Sequence, residues 1–157
     1  MSYSPYSAAT SYQQAQISQI DPVNLIVMLY DGALARIVEA KQRFRERNDL
    51  QGKLAATKAQ AIVGELRRSL NVVDGQDLAL NLDRLYLYLH DLLVKAILHA
   101  QVEPLEEATA LLHDLRSAWA EVATQHRDNT GASVGAHNPA ASHAGPPPEA
   151  PRLAVRV

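Results

Sequence analysis

The sequence contains no cysteine among its 157 residues. This absence excludes disulfide bonds and thiolate chemistry, and it is typical of proteins that stay in the reducing cytoplasm. Long apolar runs are also missing, since no stretch approaches the ~20 continuous apolar residues of a membrane-spanning helix. The first ten residues have neither the basic segment nor the apolar segment of a secretion signal. We therefore expect a cytoplasmic protein.

An excess of charge of either sign is lacking too. The 15 lysines and arginines and the 17 aspartates and glutamates give a net charge of -2 at pH 7. Such a chain does not present the basic surface that attracts nucleic acids or anionic membranes. Hydrophobic residues make up 47% of the chain and charged residues 20%, which is the balance of an ordinary globular protein. These values predict a single domain with its own core and no nucleic-acid partner.

Signatures of catalysis and of cofactor binding are absent as well. The glycines within the helical part of the chain stand singly, so there is no glycine-rich phosphate loop. Helical bundles hold metal ions with Glu-x-x-His pairs on facing helices. Here Glu121 with His126, and His90 beside Asp91, have the wrong spacing. The sequence therefore predicts no enzyme, no catalytic residue, no metal, no cofactor and no small-molecule substrate.

Four stretches show the three- and four-residue spacing of apolar side chains that is typical of amphipathic helices. They cover about residues 22–46, 54–73, 76–101 and 104–126, with turn signals at residues 48–52 and 74–75 between them. No segment shows the alternation of a strand. Four helices of about 20 residues joined by short turns predict an all-α fold, an antiparallel up-down four-helix bundle.

The two ends of the chain differ from this helical part. Residues 1–20 read as an N-terminal arm with three tyrosines, and the arm ends at Asp21-Pro22, where a helix N-cap and a first-turn proline are expected. Residues 127–157 hold most of the prolines among alanine and glycine, which is typical of a disordered tail. The predicted organisation is an arm (1–20), a bundle (21–126) and a tail (127–157).

The first predicted helix carries a second apolar stripe beside the one that a core would use. This second stripe consists of Leu25, Met28, Leu29 and Ala33. Two stripes imply either several packing neighbours or a binding groove. Gly32 lies in the same stretch, where a glycine costs a helix about 1 kcal/mol relative to alanine. We expect its compensation to be close approach of the arm or a partner, or tight helix packing.

The third predicted helix is apolar on nearly every side. One stripe runs through Leu78, Leu82, Leu85, Leu89 and Leu92, and another through Leu80, Leu87, Val94 and Leu98. A helix of this kind is buried in a bundle or covered by a partner. Tyr86 and Tyr88 point to different faces, so at least one of them either reaches the surface or contacts a partner.

The order of these motifs resembles that of one family, the flagellin export chaperones of the FliS family. The resemblance begins with Tyr12-Gln13-Gln14 and Ile17. It continues through Asp21-Pro22-x-x-Leu25-x-x-Met28-Leu29-Tyr30-Asp31-Gly32-Ala33. The third helix is similar in Asn81-Leu82-x-x-Leu85-Tyr86-x-Tyr88, and the fourth in Leu115-Arg116-x-Ala118-Trp119. The second helix is similar in Lys58-Ala59-Gln60-x-Ile62-Val63-x-Glu65-Leu66-x-x-Ser69-Leu70. Four motifs in the family's order make the resemblance specific.

The resemblance implies a cytosolic chaperone of type III flagellar export. It would bind the disordered C-terminal segment of flagellin, prevent premature polymerisation, and bring its cargo to the export gate at the membrane. The residues expected to form the flagellin groove are Tyr12, Ile17, Leu25, Met28, Leu29, Leu82, Leu85, Tyr86 and Tyr88, with Gly32 as a site of close packing. The arm would cap this groove in the free protein, and arm exchange between copies would give a homodimer.

One alternative is a helical signalling or scaffold module without catalysis, such as a histidine phosphotransfer domain. That function needs an exposed histidine among small or basic side chains. His90 and His113 are the candidates, but each is followed by an aspartate, Asp91 and Asp114 respectively. Phosphate acceptance from a donor kinase distinguishes this alternative from the chaperone.

Overall fold

A computed structural model describes residues 21–70 and 76–134 of the chain. These residues form four helices, α1 (Pro22–Arg45), α2 (Asp49–Arg68), α3 (Gln76–His99) and α4 (Glu103–Val134). The predicted all-α class and the four-helix bundle are thereby confirmed. The arm of residues 1–20, the turn dipeptide at residues 74–75 and the tail beyond residue 134 lie outside the described residues.

The start of α1 agrees with its sequence signal. The Asp21 carboxylate accepts a hydrogen bond from the backbone N–H of Val23 at 3.5 Å, and Pro22 occupies the first turn. At the other end, Arg47 adopts a left-handed backbone with φ 61°, while Asn48 N–H bonds to the Arg43 carbonyl. This is a Schellman-type reversal, in which the orphan carbonyls of the last turn are satisfied by the residues that leave the helix.

Helix α2 begins earlier than predicted. The sequence placed a turn at residues 48–52 and the helix start at Leu54, whereas α2 starts at Asp49 and contains Gly52 in its first turn. Gly52 is buried, and a Cβ added there would overlap the ring of Phe44 on α1. The glycine is needed for the close approach of two helices, and its use as a turn signal was therefore wrong.

Contacts between side chains fix the relative direction of neighbouring helices. On α1 and α4, Asp31 pairs with Arg116, and Arg45 pairs with Glu106 at 3.3 Å between Nη2 and Oε1. Residue numbers rise along one helix while they fall along the other, so the two helices are antiparallel. A second pair of contacts shows the same for α2 and α3, where Arg67 Nε lies 2.6 Å from Asp83 Oδ1 and Gln60 bonds to His90.

The four helices form a closed ring of neighbours. Helix α1 packs against α2 and α4, and α3 packs against the same two helices. Helices α1 and α3 therefore lie diagonally across the bundle. Consequently the outward faces of α1 and α3 lie on opposite sides of the molecule.

Helix α4 continues to Val134, beyond the bundle end predicted at residue 126. Ala123 is buried, and residues 124–131 that follow it are exposed. The fading of the apolar stripe predicted an earlier end of the helix. Backbone hydrogen bonds do not require an apolar stripe, and no proline interrupts the helix before residue 134.

Two tyrosines meet in the centre of the core. Tyr30 on α1 and Tyr86 on α3 are almost completely buried, and their hydroxyl oxygens are 2.5 Å apart. Burial raises the pKa of both phenols above the usual tyrosine value. The neighbouring Tyr86 raises the pKa of Tyr30 further, and a hydrogen bond with Trp119 lowers it. Each of the two hydroxyls can both donate and accept in the bond between them.

Two glycine substitutions test the packing of α1 and α2. Gly52→Ala should lower the free energy of unfolding by about 1–2 kcal/mol, because overlap with Phe44 outweighs the gain in helix propensity. Gly32→Ala should raise it by up to about 1 kcal/mol, because a Cβ there lies 3.5 Å from Ile62 Cδ1 in ordinary contact. Urea denaturation measures both. Equal stabilisation by the two substitutions would contradict the close packing at Gly52.

A double-mutant cycle tests the tyrosine pair. Tyr30→Phe and Tyr86→Phe should each lower the free energy of unfolding by about 1–3 kcal/mol, because each leaves the other buried hydroxyl without its partner. The double variant should lose about 1 kcal/mol less than the sum. Tyr88→Phe is the control, since Tyr88 is exposed. Strict additivity of the two losses would show that the hydroxyls are not coupled.

Candidate partner-binding surfaces

The bundle has more large apolar side chains than its core uses. Within the described residues, the exposed ones are Met28, Val38, Leu50, Leu54, Leu78, Leu80, Leu87, Tyr88 and Leu98. Most of them lie on α3. Scattered exposed apolar residues are normal, whereas contiguous patches mark interaction sites. The exposed apolar residues that bear on binding are therefore those that share one helix face.

One patch lies at the N-terminal end of α1 and is called the α1 surface here. It consists of Leu25, Met28, Leu29 and Gly32, which share one helix face at spacings of three and four residues. Met28 is 53% exposed, and the other three are half-buried. All four belong to the sequence-predicted site. They follow directly after the N-terminal arm, so the arm and this patch are neighbours along the chain.

Gly32 is the smallest part of the α1 surface. Packing against α2 does not require a glycine here, because an added Cβ would only reach ordinary contact distance from Ile62. Tight helix packing, one of the two explanations offered by the sequence, occurs at Gly52 instead. The other explanation for Gly32 is close approach of the arm or a partner from outside the bundle. It stays a prediction.

The four α3 residues of the predicted groove separate into two groups. Leu82 and Tyr86 are 7% and 2% exposed, because they lie on the inward face of α3. They are core residues in this structure, so their assignment to an accessible groove has to be corrected. Leu85 is half-buried and Tyr88 is 44% exposed. Tyr88 and Leu85 thus remain as the accessible part, here called the α3 surface.

A polar contact with α4 lies beside each of the two surfaces. Beside the α3 surface, the Tyr88 hydroxyl donates to the Glu107 carboxylate of α4, and this hydrogen bond raises the pKa of Tyr88. Beside the α1 surface, Asp31 accepts two hydrogen bonds from the Arg116 guanidinium of α4. The bonded carboxylate raises the pKa of Arg116. These fixed contacts to α4 define which way each surface faces.

The α1 surface and the α3 surface do not form one groove. Their helices are diagonal neighbours, with α2 and α4 between them. The prediction of a single groove that joins Leu25, Met28 and Leu29 to α3 residues is wrong in this respect, because a helical wheel carries no information on the order of helices. Tyr12 and Ile17, the two predicted site residues on the arm, lie outside the described residues.

The histidines of the described residues do not gather into a metal site. His90 Nε2 lies 3.0 Å from Gln60 Nε2, and His90 Nδ1 lies 3.8 Å from Asp91. His113 lies exposed on α4. No group of three or more metal-binding side chains occurs in residues 21–70 and 76–134. None of the helices described there is long and apolar enough to cross a membrane.

The chain is similar to several curated flagellar proteins. It is 36% identical over 116 residues to the flagellar secretion chaperone FliSB of Pseudomonas aeruginosa, covering 71% of this chain and 92% of that protein. It is 35% identical over 124 residues to the flagellar secretion chaperone FliS of Escherichia coli, covering 74% and 90%. With FliS of Bacillus subtilis the identity is 32% over 127 residues, covering 80% and 93%.

The family comparison agrees with these relatives. Residues 5–126 match the family described as flagellar protein FliS. The match includes the predicted arm residues Tyr12 and Ile17 and the whole α1 surface. It ends at residue 126, close to Ala123, which is buried on α4. The residues, the fold and the relatives agree, and the chain therefore belongs to the FliS family of flagellar proteins.

Proposed function

We propose that this chain is a cytosolic, non-catalytic chaperone of type III flagellar export that binds the C-terminal segment of flagellin. Membership of the FliS family and the names of the relatives support the export role. The observation that carries the client assignment is the α1 surface, an apolar patch that ends at Gly32 and in which Met28 is 53% exposed. Such a patch fits an amphipathic segment laid along a helix face.

Burial of apolar area provides the affinity. The α1 surface offers the client about 25 cal/mol for each Å² of apolar area removed from water. The flagellin segment is disordered before binding, and its ordering opposes binding by about 2–5 kcal/mol. This cost keeps the complex reversible, so the cargo can be released at the export gate. While it is bound, the segment cannot join another flagellin subunit, and polymerisation is prevented.

The diagonal arrangement of α1 and α3 decides what kind of client can use both surfaces. A client that contacts the α1 surface and Tyr88 has to pass over α2 or α4. A crossing of about 20 Å requires at least about six extended residues. A straight, rigid helix cannot follow this path, whereas a flexible segment can. The arrangement therefore favours a disordered client over a folded one.

In the free protein the arm covers the α1 surface. Tyr12, Ile17 and Ile20 are its apolar anchors. Tyr12 lies nine positions before Asp21, and nine extended steps of the chain can span up to about 30 Å, which is more than the length of the α1 surface. The arm therefore reaches the whole patch, and flagellin displaces it on binding.

Substitution of one residue of the α1 surface tests the client assignment. Met28→Glu should weaken binding of flagellin at least about tenfold, because a charge replaces buried apolar area. Val38→Glu is the matched control, since Val38 is equally exposed on α1 but lies outside the α1 surface. Isothermal titration calorimetry with flagellin, and with flagellin lacking its C-terminal region, gives both affinities. Equal affinity of Met28→Glu and the unmodified chain would remove the α1 surface from the client site.

A second substitution tests the arm. Tyr12→Ala should raise the affinity for flagellin by about two- to tenfold, because a competitor for the α1 surface is weakened. Tyr3→Ala is the control, as it removes a tyrosine from the same arm outside the anchoring group. NMR of the free chain should show shifts at Met28 when Tyr12 is replaced. Unchanged affinity together with unchanged Met28 resonances would contradict the capping of the α1 surface by the arm.

A further inference from the structure

Helix α3 carries a row of apolar side chains that neither the core nor the proposed client site uses. This row is called the α3 stripe here and consists of Leu80, Leu87, Val94 and Leu98. The three leucines are 43%, 40% and 65% exposed, and Val94 is half-buried. The first three members follow one another at intervals of seven residues, so they line up along one side of the helix.

The α3 stripe borders on α2. Two side-chain contacts join α2 to α3, namely Gln60 with His90 and Arg67 with Asp83. Leu87 lies between these contacts on α3, at spacings of four and three residues from the two positions that touch α2. Gly64 lies between the same contacts on α2, at the same spacings. Gly64 and Leu87 therefore lie at the same level on the facing sides of the two helices.

Packing within the described residues does not require a glycine at position 64. A Cβ added there would meet only the guanidinium of Arg68 on the same helix, at 3.8 Å. A glycine inside a helix costs about 1 kcal/mol relative to alanine. The missing side chain leaves room beside Leu87, and such room is used when another backbone approaches closely. The α3 stripe and Gly64 together are called the α2–α3 furrow here.

A segment with a matching pattern occurs at residues 153–157 of the same chain, outside the described residues. Leu153, Val155 and Val157 are the only large apolar side chains that follow Val134 in the sequence. They occupy every second position of this segment. In an extended segment, alternate side chains lie on the same face. Residues 153–157 therefore present one apolar face, of a kind suited to a narrow apolar furrow.

The prolines before this segment favour an extended path. Pro146, Pro147, Pro148 and Pro151 lie within the eight residues that precede Leu153. Proline-rich segments adopt the extended polyproline II conformation, at about 3.1 Å per residue, even when they are unbound. Less conformational entropy is then lost when the segment that follows them is placed on the bundle.

The chain is long enough to bring residues 153–157 to the α2–α3 furrow. Glu107 on α4 bonds to Tyr88, which is next to Leu87 on α3, and Val134 lies about 40 Å further along α4. A step across two helices adds about 20 Å in the perpendicular direction. The direct distance is therefore about 45 Å. The residues from Val134 to Leu153 span up to about 60 Å when extended.

Charge favours this furrow over the α1 surface. Asp91 lies between Leu87 and Val94 on the solvent side of the α3 stripe, and its side chain is 73% exposed. Asp31, the carboxylate beside the α1 surface, already accepts two hydrogen bonds from Arg116. In residues 153–157, Arg156 alternates with the apolar positions and lies on the opposite face, so it meets a carboxylate at the rim of the furrow.

We propose that residues 153–157 bind in the α2–α3 furrow of their own chain as an extended segment. Leu153, Val155 and Val157 cover the α3 stripe, and Arg156 lies beside Asp91. Five residues bury little area, but the segment is tethered, and a flexible tether of this kind gives an effective concentration of about 1 mM. The contact removes from water an apolar row that would otherwise promote association.

The lack of native cysteine permits a site-specific test on the full chain. A nitroxide attached to Ala154→Cys should broaden the NMR methyl signals of Leu87 and Val94 much more than the signal of Met28. The same label on Ala140→Cys is the matched control, because position 140 lies within about 20 Å of Val134 and cannot reach Leu87. Broadening of Met28 in place of Leu87, or no broadening of Leu87 by the label at position 154, overturns the proposal.

A mixing experiment tests whether the contact lies within one chain. Isotope-labelled chain without nitroxide is mixed with chain that carries the nitroxide at position 154 but no isotope. The methyl signals of Leu87 and Val94 should keep their intensity, because the segment occupies the furrow of its own chain. Broadening equal to that within the doubly labelled chain would place the segment on a second copy and contradict the proposal.

Two substitutions test which face of the segment is bound. Val155→Asp should shift the methyl signals of Leu80 and Leu87, because a charge on the apolar face releases the segment from the furrow. Ala154→Asp is the matched control, since the neighbouring position points to the opposite face and should leave these signals in place. Equal shifts with both variants, or none with Val155→Asp, contradict the extended segment.

Discussion

The hydrogen bond between Tyr30 and Tyr86 joins the two helices that lie diagonally across the bundle. Neighbouring helices are held by their apolar faces and by ion pairs at the rim, whereas these two long side chains meet across the centre. Because both hydroxyls are buried, each needs its partner, and the pair fixes the rotation of α1 and of α3 together. That rotation determines which residues of each helix face outward.

The outward faces follow from this constraint. With Tyr30 inward, Leu25, Met28 and Gly32 face away from the core of α1. With Tyr86 inward, α3 turns Tyr88 towards α4 and Leu87 towards the other flank. These rotations thus leave separate apolar patches on α1 and on α3. The α1 surface and the α3 surface suit a flexible client that wraps around the bundle.

Much of the fold could be predicted from the sequence, because apolar spacing and helix-start signals are local. Asp21-Pro22 predicted the beginning of α1 correctly, and the four stripes predicted four helices. Gly52 wrongly predicted a turn, since the Phe44 ring that requires a glycine there comes from another helix. The end of α4 was placed too early, since an apolar stripe reports packing and not helicity.

The candidate site was harder to predict. A helical wheel identifies stripes, but it cannot show which stripe meets the core when a helix is apolar all round, as α3 is. The prediction that Leu82 and Tyr86 line the flagellin groove is therefore wrong for an accessible groove, because both lie in the core. The order of helices around the bundle is also absent from local patterns. For this reason the α1 residues and the α3 residues were assigned to one groove, whereas they lie on diagonal helices.

The central claim is that the α1 surface receives the C-terminal segment of flagellin. Hydrogen exchange of this chain, measured by mass spectrometry with and without flagellin, tests it most directly. We predict slower exchange in the first three turns of α1 and around Tyr88 with full-length flagellin, and no change with flagellin that lacks its C-terminal region. Unchanged exchange in the first turns of α1, or equal protection by the truncated flagellin, would contradict the account.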